Sequence, residues 1–374
     1  MSELTEQFSE LSASPLIPSL PDDVTLDIVA RVPRSHYPIL SLVSKSFRKL
    51  IASSKLYKRR YQLGITQHRL YAVLCNSNTG DFSFYILHKK LNCSNRLVHV
   101  RSLPPMSSRG SYVPFGSKVY AFNDLSALIF DCTSHTVHPI SDIPQRMSYK
   151  VVNAIEEEKK IYVIGDSFCH VIEEGGGWWK GWRKAVTVFD TETQSWEPKV
   201  VKEDMAVGLG PFWSDSVVMD GKVYLKGCNS KRDSFVYGPE EKKWELMGEV
   251  MNSKDWEGAC VVDDVLYYLD CSEKVVLRAF DPKEKCGWRV VNGLEESLVA
   301  ETAKSKWCDA VSYGEKKLAL FFPKKRDDGR HVICCAEIGL ERCHGGEIWG
   351  KMESCDVVIE DEQSELVKCV TVTI

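Results

Sequence analysis

The sequence lacks the features that mark membrane and secreted proteins. None of its apolar runs is long enough to span a membrane, and its first fifteen residues contain no apolar segment of signal-peptide length. Its fourteen cysteines include no Cys-x-x-Cys pair, a spacing that zinc sites commonly use. We therefore expect no contact with a membrane, reduced thiols, and a location in the cytoplasm and/or nucleus.

The sequence also lacks the motifs that carry catalysis. It has no phosphate-binding glycine loop, no Gly-x-Ser-x-Gly turn and no His-Glu-x-x-His motif. Gly175–Gly177 precede tryptophans in place of Lys-Ser/Thr, so we expect a flexible loop there. His135 and His138 fall in an expected hairpin, where exposed polar residues are more common than a metal site. These observations predict a non-catalytic protein without a cofactor or a metal ion.

Acidic charge is missing from one long stretch near the N-terminus. No Asp or Glu occurs from Ile28 to Gly80, although the whole chain has a formal net charge of −4. Up to Tyr61, the basic residues of this stretch are Arg31, Arg34, Lys45, Arg48, Lys49, Lys55, Lys58, Arg59 and Arg60. The asymmetry favours an acidic partner surface, and the alternatives are a solvated basic face or a nucleic-acid patch.

The same region has the pattern of a small helical docking module. Pro18 and Pro21 favour an extended lead-in, and a helix should begin at the two aspartates that follow and stop before Pro33. A second helix is expected from Pro38 to about residue 50, and a third over 55–63 that stops at Gly64.

These helices carry more apolar residues than so small a unit can bury, so a partner should cover part of its surface. The residues that we expect to contact this adaptor are Leu16, Ile17, Leu20, Pro21, Asp22, Asp23, Leu26, Val29, Leu40, Val43, Phe47 and Leu50.

Residues 16–61 closely resemble the F-box. They contain its Leu-Pro-Asp-Asp opening at 20–23, its Leu-Ser-Leu-Val-Ser-Lys-Ser-Phe-Arg centre at 40–48 and its order of helices. F-box proteins tether a substrate to the Skp–cullin ubiquitin ligase, so the resemblance implies a Skp-type adaptor as partner and, through it, a cullin. Because Leu-Pro-Asp-Asp has no role in nucleic-acid binding, we expect no nucleic-acid partner.

From His68 onward the pattern changes to short alternating strands separated by turn residues. One strand recurs six times, beginning at residues 69, 118, 160, 222, 265 and 317, with tyrosine at its third position in all copies but the last. The spacings of 49, 42, 62, 43 and 52 residues, in units made only of strands, predict a propeller of six blades.

A second recurring piece resembles the kelch repeat. Segments that begin at residues 189, 237 and 280 with an aromatic residue end at Trp196, Trp244 and Trp288, each as a hairpin that closes a blade. Kelch repeats usually contain two adjacent glycines, whereas this chain has a single glycine at the corresponding positions, Gly165 and Gly227. The whole chain thus resembles the plant F-box/kelch proteins. We expect a disordered tail over 1–15, a small all-α F-box over 16–63 and an all-β, six-bladed kelch-type β-propeller over 66–374.

The two ends of the strand region predict how the ring closes. The first tyrosine strand follows the F-box almost directly, which leaves no room for the strand that precedes the other copies. Leu366–Ile374 is strongly strand-like and belongs to no complete unit. We expect it to supply the inner strand of the first blade, because ring closure removes exposed sheet edges. The alternative is a spare outer strand.

Aromatic residues mark the propeller face on which we expect the substrate. Counted back from the third position of each recurring strand after the first, the loops that enter the blades place one candidate 11 to 13 residues upstream, and the insertion Asp166–Lys184 shares this face. The candidate substrate-binding residues are Arg109, Tyr149, Trp178, Trp179, Trp182, Trp213, Trp256 and Trp307. The alternative is that some of these rings only cap blade cores.

Together these patterns predict the substrate-recognition subunit of a Skp–cullin–F-box ubiquitin ligase. Such a subunit recruits a protein target through its propeller for ubiquitination and is not itself an enzyme. The alternative is a kelch-propeller enzyme or small-ligand sensor that is regulated through its F-box.

Overall fold

The computed structural model describes residues 16–17, 20–90, 93–103, 106, 110–123, 125–172, 178–198, 200–201, 213–228, 234–284, 287–302, 305, 307–326, 328–343, 346–361 and 363–374. The chain divides into two compact units between Gln67 and His68, with Ile374 grouped with the first. The tail expected over residues 1–15 lies outside the described residues.

In the described part of the first unit, the helices are α1 (Asp22–Arg31), a 3₁₀ helix (Arg34–His36), α2 (Tyr37–Val43), α3 (Lys45–Ile51) and α4 (Ser54–Gln62). The expected start of α1 is confirmed, and its two aspartates lie in the first turn, where the helix dipole favours carboxylates. Gly64 follows α4 with a φ of 65°, a conformation that glycine adopts without strain and that ends the helix as expected.

The second helix expected from the sequence is wrong as a single element, because it is divided at Ser44. This residue is fully extended (φ −160°, ψ 165°), and its side-chain oxygen accepts a hydrogen bond from the Phe47 N–H at 3.1 Å. A serine in this position caps the following helix, so the chain stops α2 and begins α3 within one residue. The apolar spacing continues across the break, which is why the pattern alone suggested one helix.

Five buried residues form the core of the helical unit: Val29, Ala30, Tyr37, Phe47 and Leu56. Arg60 is fully buried beside them, and its Nη1 donates to the carbonyl oxygens of Ala30 (2.6 Å) and Val32 (3.0 Å) and to the Tyr37 hydroxyl (3.2 Å). These bonds satisfy carbonyls at the end of α1, so Arg60 holds α1 to α4 and is not available to an acidic partner.

The second unit is a six-bladed β-propeller, counted over the described residues, in which each blade is an antiparallel sheet. The first three blades contain β1 (His68–Asn76), β2 (Phe82–Lys90) and β3 (Cys93–His99); β4 (Ser111–Phe115), β5 (Lys118–Phe122), β6 (Ala127–Asp131) and β7 (Thr136–Ile140); and β8 (Met147–Ile155), β9 (Lys160–Ile172), β10 (Trp178–Asp190), β11 (Ser195–Trp196) and β12 (Val200–Val201).

The last three blades contain β13 (Trp213–Met219), β14 (Lys222–Gly227), β15 (Phe235–Gly238) and β16 (Lys243–Leu246); β17 (Cys260–Val262), β18 (Val265–Asp270), β19 (Val276–Phe280) and β20 (Trp288–Val290); and β21 (Asp309–Ser312), β22 (Lys317–Lys325), β23 (His331–Arg342) and β24 (Ile348–Ile359). A short 3₁₀ helix (Met251–Ser253) precedes blade 5, α5 (Glu295–Thr302) precedes blade 6, and β25 (Ser364–Thr373) follows it.

The expected closure of the ring is confirmed. The strand β25 pairs antiparallel with β1, and Tyr71 lies opposite Val370 in the register. Blade 1 therefore has the strand order β25-β1-β2-β3, with the end of the chain as its inner strand. This pairing joins the two ends of the propeller and leaves no open sheet edge between its first and last blades.

The tryptophans that end the kelch-like segments lie in the blades, as the sequence predicts. In three blades the ring centroids of the opening aromatic and the closing tryptophan are 5.1 Å apart, for Trp196, Trp244 and Trp288. The indole N–H of Trp196 also donates to the Ser141 carbonyl of the preceding blade at 3.0 Å. These rings thus support packing both within and between blades.

Adjacent inner strands approach each other closely at Gly258, just before blade 5. Its φ is 69°, and a Cβ atom there would lie 2.0 Å from the Cys308 carbonyl oxygen, which excludes other residues. The Gly258 N–H donates to Asp215 Oδ2 at 2.8 Å, and its carbonyl accepts from the Ala310 N–H at 2.7 Å. Blades 4, 5 and 6 are therefore linked near the centre of the ring by direct hydrogen bonds.

Candidate functional site

The helical unit contains both buried and exposed apolar residues, and the buried ones form its core. Val29 and Phe47 are buried in that core, so their assignment to the adaptor surface is wrong. Each lies on the face of its own helix that packs against the rest of the helical unit. The other expected apolar contacts that are half-buried against the same core, or beside it, are Leu16, Ile17, Leu20, Leu26, Leu40 and Leu50.

Exposed apolar residues on α1 and α2 include some that the sequence interpretation missed. On α2, Ile39, Leu42 and Val43 are 65, 76 and 63% exposed, at the three- and four-residue spacing of one helix face. On α1, Val24 and Ile28 are also exposed, four residues apart. A second apolar series offset from the first was the available signal, and of these five residues only Val43 was among the candidates.

Three of the predicted adaptor contacts, at the start of α1, are exposed. Pro21, Asp22 and Asp23 lie at the surface at the start of α1. Beside them, the Arg59 guanidinium hydrogen-bonds to Asp27 at 2.5 Å and lowers the pKa of that carboxyl. With Arg59 paired and Arg60 buried, the basic residues left exposed on α3 and α4 are Lys45, Arg48, Lys49, Lys55 and Lys58.

On the propeller, loops joining the second and third strands of each blade share one side with the connections between blades. We call this side the upper face. Arg109 lies outside the described residues. Tyr149 is 56% exposed, has a φ of 47°, and sits at a bulge in β8 between Ser148 and Val151. Trp307 is 40% exposed, two residues before β21. Tyr149 and Trp307 are therefore accessible on this face.

Two of the expected contacts are core residues. Trp256 is fully buried among the apolar side chains shared by blades 4 and 5, so its assignment to a binding surface is wrong. Trp213 is 6% exposed and stacks on Trp244 with ring centroids 6.0 Å apart and planes 19° from parallel. Both positions begin or precede an inner strand, where a large ring fills the end of the blade core.

The insertion Asp166–Lys184 is a strand extension, which the loop interpretation missed. Strands β9 and β10 pair along thirteen residues each, whereas β8 pairs with β9 only as far as Ser167. Among the described pairings, β12 reaches β10 only as far as Ala185. Residues 168–172 and 178–182 therefore form a two-stranded ribbon beyond the blade, and the three glycines expected to be a flexible loop lie outside the described residues.

Three candidate tryptophans lie on β10 within this ribbon. The backbone of Trp178 is opposite Ile172, that of Trp179 opposite Val171, and that of Trp182 opposite Phe168. Because successive strand residues alternate between faces, positions 178 and 182 share one face of the ribbon and position 179 occupies the other. The side chains of Trp178 and Trp179 are outside the described part of the structure, and Trp182 is half-buried.

A buried ion pair lies at the base of the ribbon. Lys184 Nζ is 2.6 Å from Asp166 Oδ1, and both side chains are 2% exposed. The same ammonium lies 4.3 Å from the centroid of the Trp213 ring, a cation–π distance. Burial raises the pKa of Asp166 despite the neighbouring lysine. The pair ties the ribbon to the start of blade 4.

Among the described residues, no group of three or more His, Cys, Asp and Glu side chains is arranged to hold a metal ion. His135 Nε2 lies 2.9 Å from the Tyr71 hydroxyl at a turn of blade 2. None of the helices described is long and apolar enough to cross a membrane.

Comparisons with known proteins match both units. The family described as FKB95, Kelch-repeats domain, matches residues 73–359, and the F-box domain matches residues 17–59. The F-box/kelch-repeat protein At4g38940 of Arabidopsis thaliana is 38% identical over 375 residues, covering 96% of this chain and 95% of that relative. The F-box/kelch-repeat protein At4g39240 of the same plant is 32% identical over 376 residues, covering 97 and 92% of the two chains. The chain belongs to the F-box/kelch-repeat family of plant proteins.

Proposed function

We propose that this protein is the substrate-recognition subunit of a Skp–cullin–F-box ubiquitin ligase. In this proposal the helical unit binds a Skp-type adaptor and, through it, a cullin, while the propeller holds a protein target for ubiquitination. The protein acts in the cytoplasm and/or nucleus and is not itself catalytic. The observation that carries the proposal is the exposure of five large apolar side chains on α1 and α2 of the F-box: Val24, Ile28, Ile39, Leu42 and Val43.

The exposure of these side chains favours a partner that covers them. Ile39, Leu42 and Val43 each leave more than half of their surface in water, on a helix of seven residues. Burying one large aliphatic side chain is worth about 1.5–3 kcal/mol, so covering three of them is a substantial gain for so small a unit. The exposed lysines and arginines of α3 and α4 then favour an acidic adaptor surface.

Adaptor binding tests the proposal directly. The full-length chain is co-expressed with a Skp-type adaptor, and affinity is measured for the wild type and for the double variant Leu42→Ser with Val43→Ser. We expect the double variant to bind at least about thirtyfold more weakly, since losing hot-spot side chains costs on the order of 2 kcal/mol or more. These side chains are exposed, so the fold of the propeller and the helical unit should remain.

Lys49→Ser is the matched control, because it removes an exposed side chain of similar size from the neighbouring helix α3. It should weaken binding only slightly, and more at low salt than at high salt. Unchanged binding of the Leu42/Val43 variant would contradict the proposed adaptor surface.

A further inference from the structure

A buried lysine lies at the upper face of blade 4. Lys226 is near the end of β14, and its side chain is 5% exposed. Its Nζ lies 3.3 Å from Asn252 Oδ1 and 3.1 Å from Asp255 Oδ1. Asn252 is itself buried, and its N–H donates to the Gly248 carbonyl at 3.0 Å. The ammonium group is thus fixed in position by the protein interior.

The carboxylate that pairs with Lys226 comes from the solvent side. The Asp255 side chain is 95% exposed, in the connection between blades 4 and 5. An exposed partner in an ion pair adds little stability, because water and salt screen it and the side chain loses conformational freedom. A carboxylate from another molecule can therefore replace Asp255 on Lys226 at small cost.

Packing alone does not account for a lysine at this position. Tyr224 and Lys226 share one side of β14, and Tyr224 packs there against the apolar cluster that contains Met251 and Trp256. An apolar side chain would suit such surroundings, whereas burying an ammonium group removes its hydration. A charged residue at a buried position where packing favours an apolar one is typical of a functional position.

A second cation lies across the junction in blade 5. Arg278 Nε is 2.5 Å from Asp270 Oδ2, and the arginine side chain is 23% exposed. Burial and the negative charge of Asp270 raise the pKa of the neighbouring Tyr268, whose hydroxyl donates to Asp270 Oδ2 at 3.3 Å. Arg278 is therefore neutralised by a carboxylate within blade 5, whereas the carboxylate that pairs with Lys226 is exposed.

We propose that Lys226 binds an acidic side chain of the protein target and that Asp255 occupies this position until the target arrives. The proposal rests on the proposed function, because it requires a protein target on the upper face. The recognised chemistry is a carboxylate from Asp or Glu. A phosphorylated side chain presents similar anionic oxygens, and the test separates the two sources.

The test uses the full-length chain with isotope-labelled lysine, whose Lys226 signal is assigned by its absence from the Lys226→Met variant. Sodium acetate is added in one series and inorganic phosphate in another, while the Lys226 signal is followed by NMR. Asp255→Asn should bind acetate about tenfold more tightly than the wild type, because the internal competitor is gone. Asp255 is exposed, so this variant should fold normally even where Lys226→Met does not.

Asp264 and Lys283 provide a matched control, since they form an exposed ion pair at 2.8 Å in turns on the opposite side of blade 5. Asp264→Asn should leave the response of Lys226 unchanged. The proposal is overturned if Asp255→Asn shows no saturable response to acetate. A response to phosphate alone would overturn the carboxylate assignment.

Adaptor binding is measured on the same samples. If the chain binds acetate at Lys226 but does not bind the adaptor, the proposed function is contradicted and the anion site at Lys226 remains. If the chain binds the adaptor but Lys226 does not respond to acetate, the site is contradicted and the proposed function remains.

Discussion

Individual buried charges in this protein have different roles, which their partners distinguish. Arg60 donates only to groups within the helical unit, so its charge serves the fold. The Asp270 carboxylate accepts from the Ser272 hydroxyl at 2.6 Å and from Arg278 at 2.5 Å. Lys226 differs from both, because its carboxylate partner is exposed to solvent.

Asp270 leads to a prediction about stability and pH. Burial opposes its ionisation, but hydrogen bonds from Ser272 and Arg278 outweigh burial and lower its pKa from 3.8 to about 2. Its folded pKa lies below its unfolded value, so the carboxylate stabilises the fold above pH 3.8 and this contribution is lost as the pH falls towards 2. Asp270→Asn should lower the free energy of unfolding by about 2 kcal/mol at neutral pH.

Urea unfolding of wild type and Asp270→Asn at stepwise lower pH measures this effect. The difference between them should shrink as the solution is acidified below pH 3.8. Asp264→Asn, which affects an exposed pair, serves as the control and should change stability much less. A difference that does not vary with pH would contradict the assignment.

At the scale of elements, local hydrogen bonds decide boundaries that apolar spacing does not reveal. Ser44 separates α2 from α3 although the apolar series runs through both helices. Likewise, the insertion in blade 3 contains glycines and tryptophans, yet its backbone continues the pairing of β9 and β10. In both cases the backbone makes hydrogen bonds that the amino-acid composition of the segment does not predict.

Removing the cap between α2 and α3 should destabilise the helical unit. In Ser44→Ala the Phe47 N–H loses its side-chain acceptor, so we expect a loss of about 1 kcal/mol. Thermal unfolding of the adaptor-bound chain measures it. Ser46→Ala, on the exposed surface of α3, is the control and should change little. Equal stabilities of the two variants would show that the cap is unimportant.

The ribbon of blade 3 should bind the target with one face only. Positions 178 and 182 lie on the same face of β10 as Lys184, which packs over Trp213 at the start of blade 4. We therefore expect Trp178→Ala with Trp182→Ala to reduce target binding by about thirtyfold or more, since tryptophans often dominate interfaces and losing one costs about 2 kcal/mol.

Trp179→Ala, on the other face of the ribbon, is the matched control and should retain most of the binding. Target capture by the full-length chain under proteasome inhibition, together with the melting temperature, separates the outcomes. If the double variant melts several degrees lower, those rings support the fold and the binding face is misplaced.

At the scale of the whole molecule, the propeller depends on a strand from the far end of the chain. The inner strand of blade 1, β25, is separated from its partner β1 by almost the full length of the unit. Its buried residues Cys369, Val370 and Val372 occupy the inner position, which in the other blades is filled by the strand that directly precedes the second strand in sequence. Closure therefore couples the first and last blades into one cooperative structure.

Deleting Leu366–Ile374 should destabilise the entire propeller. The deletion exposes the edge of β1 and opens the ring between blades 1 and 6, so both blades lose a neighbour. Limited proteolysis should cut residues 71–100 much faster in the truncated chain than in the intact one. Removal of residues 2–15 is the control and should have no such effect. Equal protection of blade 1 would contradict the closing role of β25.

Elements that repeat or have a local signature can be predicted from the sequence. Leu-Pro-Asp-Asp, the six recurring strands and the tryptophans at 196, 244 and 288 identified an F-box and six blades, because turn chemistry and side-chain alternation act within a few residues. Even the long-range pairing of β25 with β1 was predicted from an incomplete first repeat.

Which apolar and aromatic residues face outward depends on tertiary packing. Val29 and Leu42 look alike in sequence, yet one is core and the other is largely exposed, because burial depends on which helix packs behind each face. Trp256 and Trp307 occupy equivalent positions, yet only Trp307 is accessible. The pairing of Lys226 with Asp255 has no sequence signature, since ion pairs between blades depend on how neighbouring sheets pack.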